Sequence, residues 1–133
     1  MAWKIWKEDV HLLYQRANIY ELKKDYENAC ADYTKIILLL PGKSNPYFER
    51  GRVYFYMDEY EKSIADETKA IELMPGDPAA YVIRGSAYFA LEDDGRAFTD
   101  LNTALKLDPD NEIAKEVMRM FRKEVENAGN QEE

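Results

Sequence analysis

The chain has 133 residues, 46% hydrophobic and 33% charged, which is enough apolar content to bury a core and excludes a chain disordered throughout. Its 18 basic and 26 acidic side chains give a formal charge of −8. That balance argues against nucleic acid and against an anionic membrane surface, both of which demand clustered Lys and Arg, and favours partners with basic or neutral segments.

The leader, residues 1–9, alternates apolar and charged side chains and lacks the apolar run of a signal peptide. It carries Trp3 and Trp6, which need cover. They can cap the following helices, dock into a neighbouring molecule, or mark the cut end of a longer array. No stretch approaches the roughly 20 apolar residues of a membrane helix. The longest run, Ile36–Leu40, stops at Pro41. A single cysteine, Cys30, excludes an internal disulfide and fits a reducing compartment. The expectation is a soluble, cytoplasmic chain, or a soluble fragment of a larger one.

From residue 10 onward the sequence repeats. Pro41, Pro75 and Pro109 stand 34 residues apart. The same step links Arg16, Arg50 and Arg84; Tyr20, Tyr54 and Tyr88; and Asp32, Asp66 and Asp100. Small residues recur at Ala17, Gly51 and Gly85, and again at Ala29, Ser63 and Ala97. The repeats therefore span 10–43, 44–77 and 78–111, and each reads as two helices with a turn near Lys24, Asp58 or Glu92. Pro41, Pro75 and Pro109 end the second helix of each unit, and Asp110 or Asn111 can cap the next helix. No segment shows sustained strand alternation.

The small column permits close approach of the two helices, where a large side chain would clash. One unit cannot bury its own apolar faces, so neighbours must stack. Residues eight before and eight after the turn sit at equal height in an antiparallel hairpin, which predicts the pairs Arg16–Asp32, Arg50–Asp66 and Arg84–Asp100. A three-arginine anion site is the competing reading. Glu67 stands where the neighbouring units hold Tyr33 and Leu101. A carboxylate at a helix–helix contact loses solvation, so Glu67 is expected to reach solvent or to meet Lys35 or Arg84.

After Pro109, residues 112–127 keep one helical face apolar through Ile113, Val117, Met120, Phe121 and Val125. A helix covering the last unit is expected, with a free amphipathic helix as the alternative. Residues 128–133 read as a disordered tail.

The 34-residue unit resembles the tetratricopeptide repeat. Its pattern maps onto Leu13, Arg16, Ala17, Tyr20, Ala29, Tyr33 and Pro41 in the first unit. In the second it maps onto Tyr47, Arg50, Gly51, Tyr54, Ser63, Glu67 and Pro75. In the third it maps onto Tyr81, Arg84, Gly85, Tyr88, Ala97, Leu101 and Pro109. The resemblance implies an all-α solenoid, seven helices in a right-handed superhelical array, whose first helices line a concave groove for an extended or helical partner segment. Carried over residue by residue, the groove positions are His11, Tyr14, Gln15, Asn18 and Leu22; then Asn45, Phe48, Glu49, Arg52, Phe55 and Tyr56; then Ala79, Val82, Ile83, Ser86, Phe89 and Ala90. Val117 and Met120 of the last helix can add to it. Arg52 either meets an acidic or carbonyl group of the bound segment or pairs with Glu49.

One subgroup of that family binds acidic chaperone C-termini through a Lys/Asn/Arg clamp. The matching positions here are Tyr14, Asn18, Glu49, Ala79 and Ile83, of which only Asn18 agrees, so that reading is disfavoured. Catalytic chemistry finds no support. His11 is the one histidine, and with Cys30 it makes no metal constellation. The stretch Asp108–Glu112 lacks the turn glycine of a calcium loop. No cofactor is expected. The reading is a non-enzymatic adaptor or scaffold that binds a protein or peptide segment in an aromatic-rich groove. The alternative is a self-associating module, a homo-oligomer formed through the array ends or the tryptophan leader.

Overall fold

Each 34-residue unit folds as a helical hairpin, and an added helix closes the series. The first pair is α1 (Ala2–Leu22) and α2 (Tyr26–Leu39), the second α3 (Ser44–Tyr56) and α4 (Tyr60–Leu73), the third α5 (Pro78–Ala90) and α6 (Asp94–Leu107). The last helix is α7 (Glu112–Gln131). This computed structural model describes the backbone of residues 2–131 and the side chains of residues 9–131. There are seven helices and no strand among the described residues. The three readings of Trp3 and Trp6 fall on side chains outside those described. The backbone there, from Ala2, is continuous with α1.

Local chemistry sets the boundaries. Asp25 and Asp93 accept from the backbone N–H of Asn28 and Arg96, and Asp77 accepts from Ala79 with Pro78 opening α5. Asn111 accepts from the N–H of Ala114 at 2.9 Å and so caps α7. Each hairpin turns on a residue with left-handed backbone: Lys24 (φ 59°), Asp58 (φ 58°) and Glu92 (φ 61°). None is glycine, so each turn holds an L side chain in a conformation that costs about 1 kcal/mol.

The hairpins stack in order, α2 on α3, α4 on α5 and α6 on α7. Ala17, Ala29, Cys30, Tyr33, Ile36 and Val53 form a buried cluster that joins the first unit to the second. Val82, Ala104 and Ala114 join the third unit to α7. The close approach at the small column is tight. A Cβ added at Gly85 would lie 3.1 Å from Leu101 Cγ and 3.2 Å from Asp100 Cβ. In the second unit, Ser63 donates to the Gly51 carbonyl at 2.7 Å, wholly buried.

Arg16 grips Asp32 at 2.8 and 2.6 Å, Arg50 grips Asp66 at 2.7 and 2.7 Å, and Arg84 grips Asp100 at 2.8 and 2.8 Å. Each pair is bidentate and ties the two helices of its own hairpin. Two of the arginines also cross units: Arg50 Nη1 donates to Thr34 at 3.1 Å and Arg84 Nη1 to Thr68 at 3.2 Å. Each guanidinium commits Nε and Nη2 to its own aspartate, and Arg50 and Arg84 commit Nη1 as well, which leaves the three arginines poorly placed to form a common anion site.

Three expectations need correction. Glu67 neither reaches solvent nor meets a basic partner: it is fully buried, and neither carboxyl oxygen has a hydrogen-bond partner. Lys35 is exposed, and the Arg84 donors are already committed to Asp100 and Thr68. Burial, reinforced by Asp66, Glu49 and Asp77, pushes the Glu67 carboxyl up to about 10, so it is uncharged at neutral pH. The face that α7 turns to the third unit also differs. Ala114 and Met118 are buried there, while Ile113, Met120 and Val125 stay exposed. The helix also continues past residue 127 to Gln131.

Candidate partner-binding groove

The exposed apolar edge of α7 has a counterpart across a groove. The groove lies between α3, α5 and α7 and has a volume of about 460 Å³. Phe48, Arg52, Phe55 and Tyr56 come from α3. Ala79, Val82, Ile83, Ser86, Phe89 and Ala90 come from α5. Asn111, Ile113, Val117 and Met120 complete the wall. The spacings explain the convergence: residues four and seven apart, such as Phe48, Arg52 and Phe55, share one helical face. The same rule joins Val82, Ser86 and Phe89 on α5 and Ile113, Val117 and Met120 on α7.

Aromatic packing fixes the lining. Phe55 meets Tyr56 and Tyr60 edge-on, with centroids 6.3 and 5.6 Å apart. Phe89 meets Phe121 of α7 edge-on at 5.9 Å. These contacts pack Phe55 of α3 against the start of α4 and tie α5 to α7 at the two ends of the apolar trough. Ser86, polar like Arg52 and Asn111 in this lining, turns its hydroxyl inward and donates to the Val82 carbonyl at 2.7 Å.

Arg52 is the one basic residue in this lining, and it is not free. Its Nη2 lies 2.5 Å from Glu49 Oε2 and 2.7 Å from Glu21 Oε1. The Arg52 guanidinium also lies 5.7 Å from the centre of the Tyr56 ring. Burial works against the Arg52 charge, but the bond to Glu49 and the charges of Glu49 and Glu21 outweigh it and hold the guanidinium above its ordinary value. Tyr33 donates to the other Glu21 oxygen at 2.6 Å. Burial, then the bond to Glu21, pushes Tyr33 above the ordinary tyrosine range.

The candidate positions of the first unit are placed differently. Tyr14 stands half-buried, edge-on to Tyr33 at 6.1 Å, and burial with the nearby Glu49 raises its hydroxyl. Asn18 is exposed and only 3.5 Å from the Tyr33 hydroxyl. His11 and Gln15 are exposed and contact each other at 3.2 Å, and Leu22 is exposed. None of these lines the apolar trough. Asn45 borders a smaller depression of about 170 Å³ with Ser44 and Met74. Glu21 was missed, although it stands 34 residues before Phe55 and so belongs to the same column as Phe55 and Phe89. Asn111 was missed because its place reads as a cap for the following helix, and Ile113 because its spacing assigns it to the face covering the last unit, although it stands 34 residues after Ala79 and so continues the column of Asn45 and Ala79.

Among the described residues, no group of His, Cys, Asp and Glu is placed to hold a metal ion, and no helix is long and apolar enough to cross a membrane. Cys30 is a buried core residue whose thiol burial pushes up to about 11.

A family model described as tetratricopeptide repeat matches residues 10–41, 44–77 and 78–111. The curated proteins hold no match to the chain. Among solved structures, the Arabidopsis OM64 TPR domain is 26% identical, with a TM-score of 0.83 over 88% of this chain and 97% of that one. The first TPR domain of human RPAP3 is 26% identical, with a TM-score of 0.84 over 91% of this chain and 95% of its own. The second TPR domain of human RPAP3, in complex with the HSP70 peptide SGPTIEEVD, is 26% identical, with a TM-score of 0.82 over 88% and 98%.

Proposed function

The chain belongs to the tetratricopeptide repeat family, and we propose that it is a non-enzymatic adaptor holding a segment of a partner protein between α3, α5 and α7. The observation that carries this reading is the apolar trough itself. It is preformed, lined by aromatic and aliphatic side chains, and edged by Tyr56, Ile113 and Met120, which remain exposed. The similar RPAP3 domain solved with an HSP70 peptide supports a peptide as the kind of ligand.

Selection of peptides from a random display library on the intact chain tests this reading, with amide-shift mapping of the winners. Selected peptides should perturb Phe48, Ile83, Phe89 and Val117, and should lose binding to Met120→Glu. Winners that map to the exposed faces of α2, α4 and α6 would overturn it.

A second reading, self-association, has one observation in its favour. Leu12 and Leu38 are exposed beside an open depression between α1 and α2 that Leu13 and Leu39 also border. Sedimentation across a concentration series separates the two readings: a strict monomer supports the adaptor.

A further inference from the structure

The groove combines an apolar trough with a charge cluster that has one positive and two negative members. Arg52 lines the trough, and a single guanidinium nitrogen, Nη2, serves both Glu21 and Glu49. Glu21 spends one oxygen on Arg52 and the other on the Tyr33 hydroxyl. Glu49 Oε1 has no hydrogen-bond partner among the described residues and is not sealed from solvent. The cluster therefore keeps a net charge of −1 and an open carboxylate oxygen beside an apolar surface. The fully buried, unpartnered Glu67 carboxyl lies close enough to Glu49 and Arg52 for their charges to act on it.

We propose that the segment held in this groove carries a bulky apolar side chain for the trough and a neighbouring lysine or arginine for the Glu21–Arg52–Glu49 cluster. The inference rests on the adaptor reading and specifies the chemistry of its ligand. An added cation meets the surplus carboxylate charge at Glu49 without breaking any bond in the cluster. An acidic group aimed at Arg52 finds Nε and Nη2 already committed to Glu49 and Glu21, so it must approach Nη1 against the charge of both carboxylates or displace one of them. The chain's overall charge of −8 steers basic segments toward it and acidic ones away. Tyr14, Glu49, Ala79 and Ile83 bring no second cation that could tip the cluster the other way.

The test is fluorescence anisotropy of the intact chain with three labelled peptides: a short amphipathic peptide of leucine, phenylalanine and lysine; the same peptide with glutamate in place of lysine; and SGPTIEEVD, the peptide bound by the second RPAP3 domain. The lysine peptide should bind at least about tenfold more tightly than either acidic one. That preference should shrink at high salt and in Glu49→Gln, while Met120→Glu weakens the lysine peptide without restoring the acidic ones. Equal or tighter binding of an acidic peptide, mapped by amide shifts to the same trough, overturns the inference and leaves the adaptor reading standing. A lysine preference that survives in Glu49→Gln and Glu21→Gln also overturns it, because the charge is then read elsewhere. Shifts confined to other faces overturn both, and binding of no probe overturns the inference alone. Thermal melting of each variant confirms that a loss of binding is not a loss of fold.

Discussion

The carboxyl of Glu67 lies against the backbone of Gly51, where any added Cβ would run into Glu67 Oε1 and sit 2.9 Å from its Cδ. The second unit thus uses the smallest residue of its column to admit a carboxyl that the neighbouring units replace with Tyr33 and Leu101. That carboxyl is fully buried and makes no hydrogen bond. Its contribution to stability has a definite sign. In the folded chain its pKa rises from an ordinary 4.5 to about 10. Between those values the folded state holds a proton that the unfolded state has released.

Stability contributed by Glu67 is therefore greatest below pH 4.5, falls as pH rises toward about 10, and is flat above it. The limiting slope is about 1.4 kcal/mol per pH unit. Urea melts of the native chain and Glu67→Gln, taken at several pH values between 5 and 9, isolate it. The native chain should lose stability relative to Glu67→Gln as pH rises. Parallel curves would show that Glu67 is ionised in the fold.

Glu67→Leu should be stabilised at pH 8 by about 2 kcal/mol, because an unsatisfied buried group is replaced by one that the third unit already accommodates as Leu101. At the limiting slope the gain should vanish at about pH 6.5 and reverse toward pH 5. Thermal melting with matched denaturant curves reads it, and a strongly destabilised variant would reveal a bond to Glu67 absent from this structure.

Gly51→Ala should cost about 1–3 kcal/mol through overpacking against the Glu67 carboxyl and Asp66 Cβ. Gly85→Ala should cost less, since its contacts to Leu101 and Asp100 are 3.1 and 3.2 Å and need only a small shift. Denaturant midpoints of the two variants give the order directly, and the reverse order would contradict the packing described.

Arg50→Ala and Arg84→Ala should each destabilise by about 2–4 kcal/mol, since each strands a buried aspartate and cuts a link to the preceding unit at Thr34 or Thr68. Arg16→Ala should cost less: its side chain is half exposed, and among the described residues it makes no bond to another unit. Equal costs in the three variants would show that the cross-unit bonds add nothing.

The fold was legible because one packing problem recurs at a 34-residue step. The small column, the prolines and the turn positions Lys24, Asp58 and Glu92 each mark the same point in every hairpin. Much of the groove was legible for the same reason, since helical spacing brings Phe48, Phe55, Val82 and Phe89 to one trough. Glu21 was within reach of the same reasoning through its shared column with Phe55. The state of Glu67 was not. It depends on where Arg84, Arg52 and Lys35 direct their donors, which only the packed structure decides. The division of α7 into a buried edge, Ala114 and Met118, and an exposed edge, Ile113 and Met120, likewise depends on how the helix settles on α5 and α6.

The roles of Arg52 show why groove variants must be chosen with care. Its removal leaves Glu21 and Glu49 facing each other, so Arg52→Ala should lower the melting temperature whether or not a ligand binds nearby. Differential scanning calorimetry of the unliganded chain checks this. An unchanged melting temperature would mean that the cluster contributes nothing to the fold.

The most direct test of the adaptor account is the affinity of a selected peptide for the double variant Phe48→Ala with Met120→Glu, measured by calorimetry beside the native chain. Phe48 is only half-buried and Met120 is exposed, so the melting temperature should fall little. Affinity should drop by about 2–4 kcal/mol, because binding energy concentrates in a few central aromatic and apolar anchors. Unchanged affinity in a folded double variant would contradict the account and place the binding surface outside the groove.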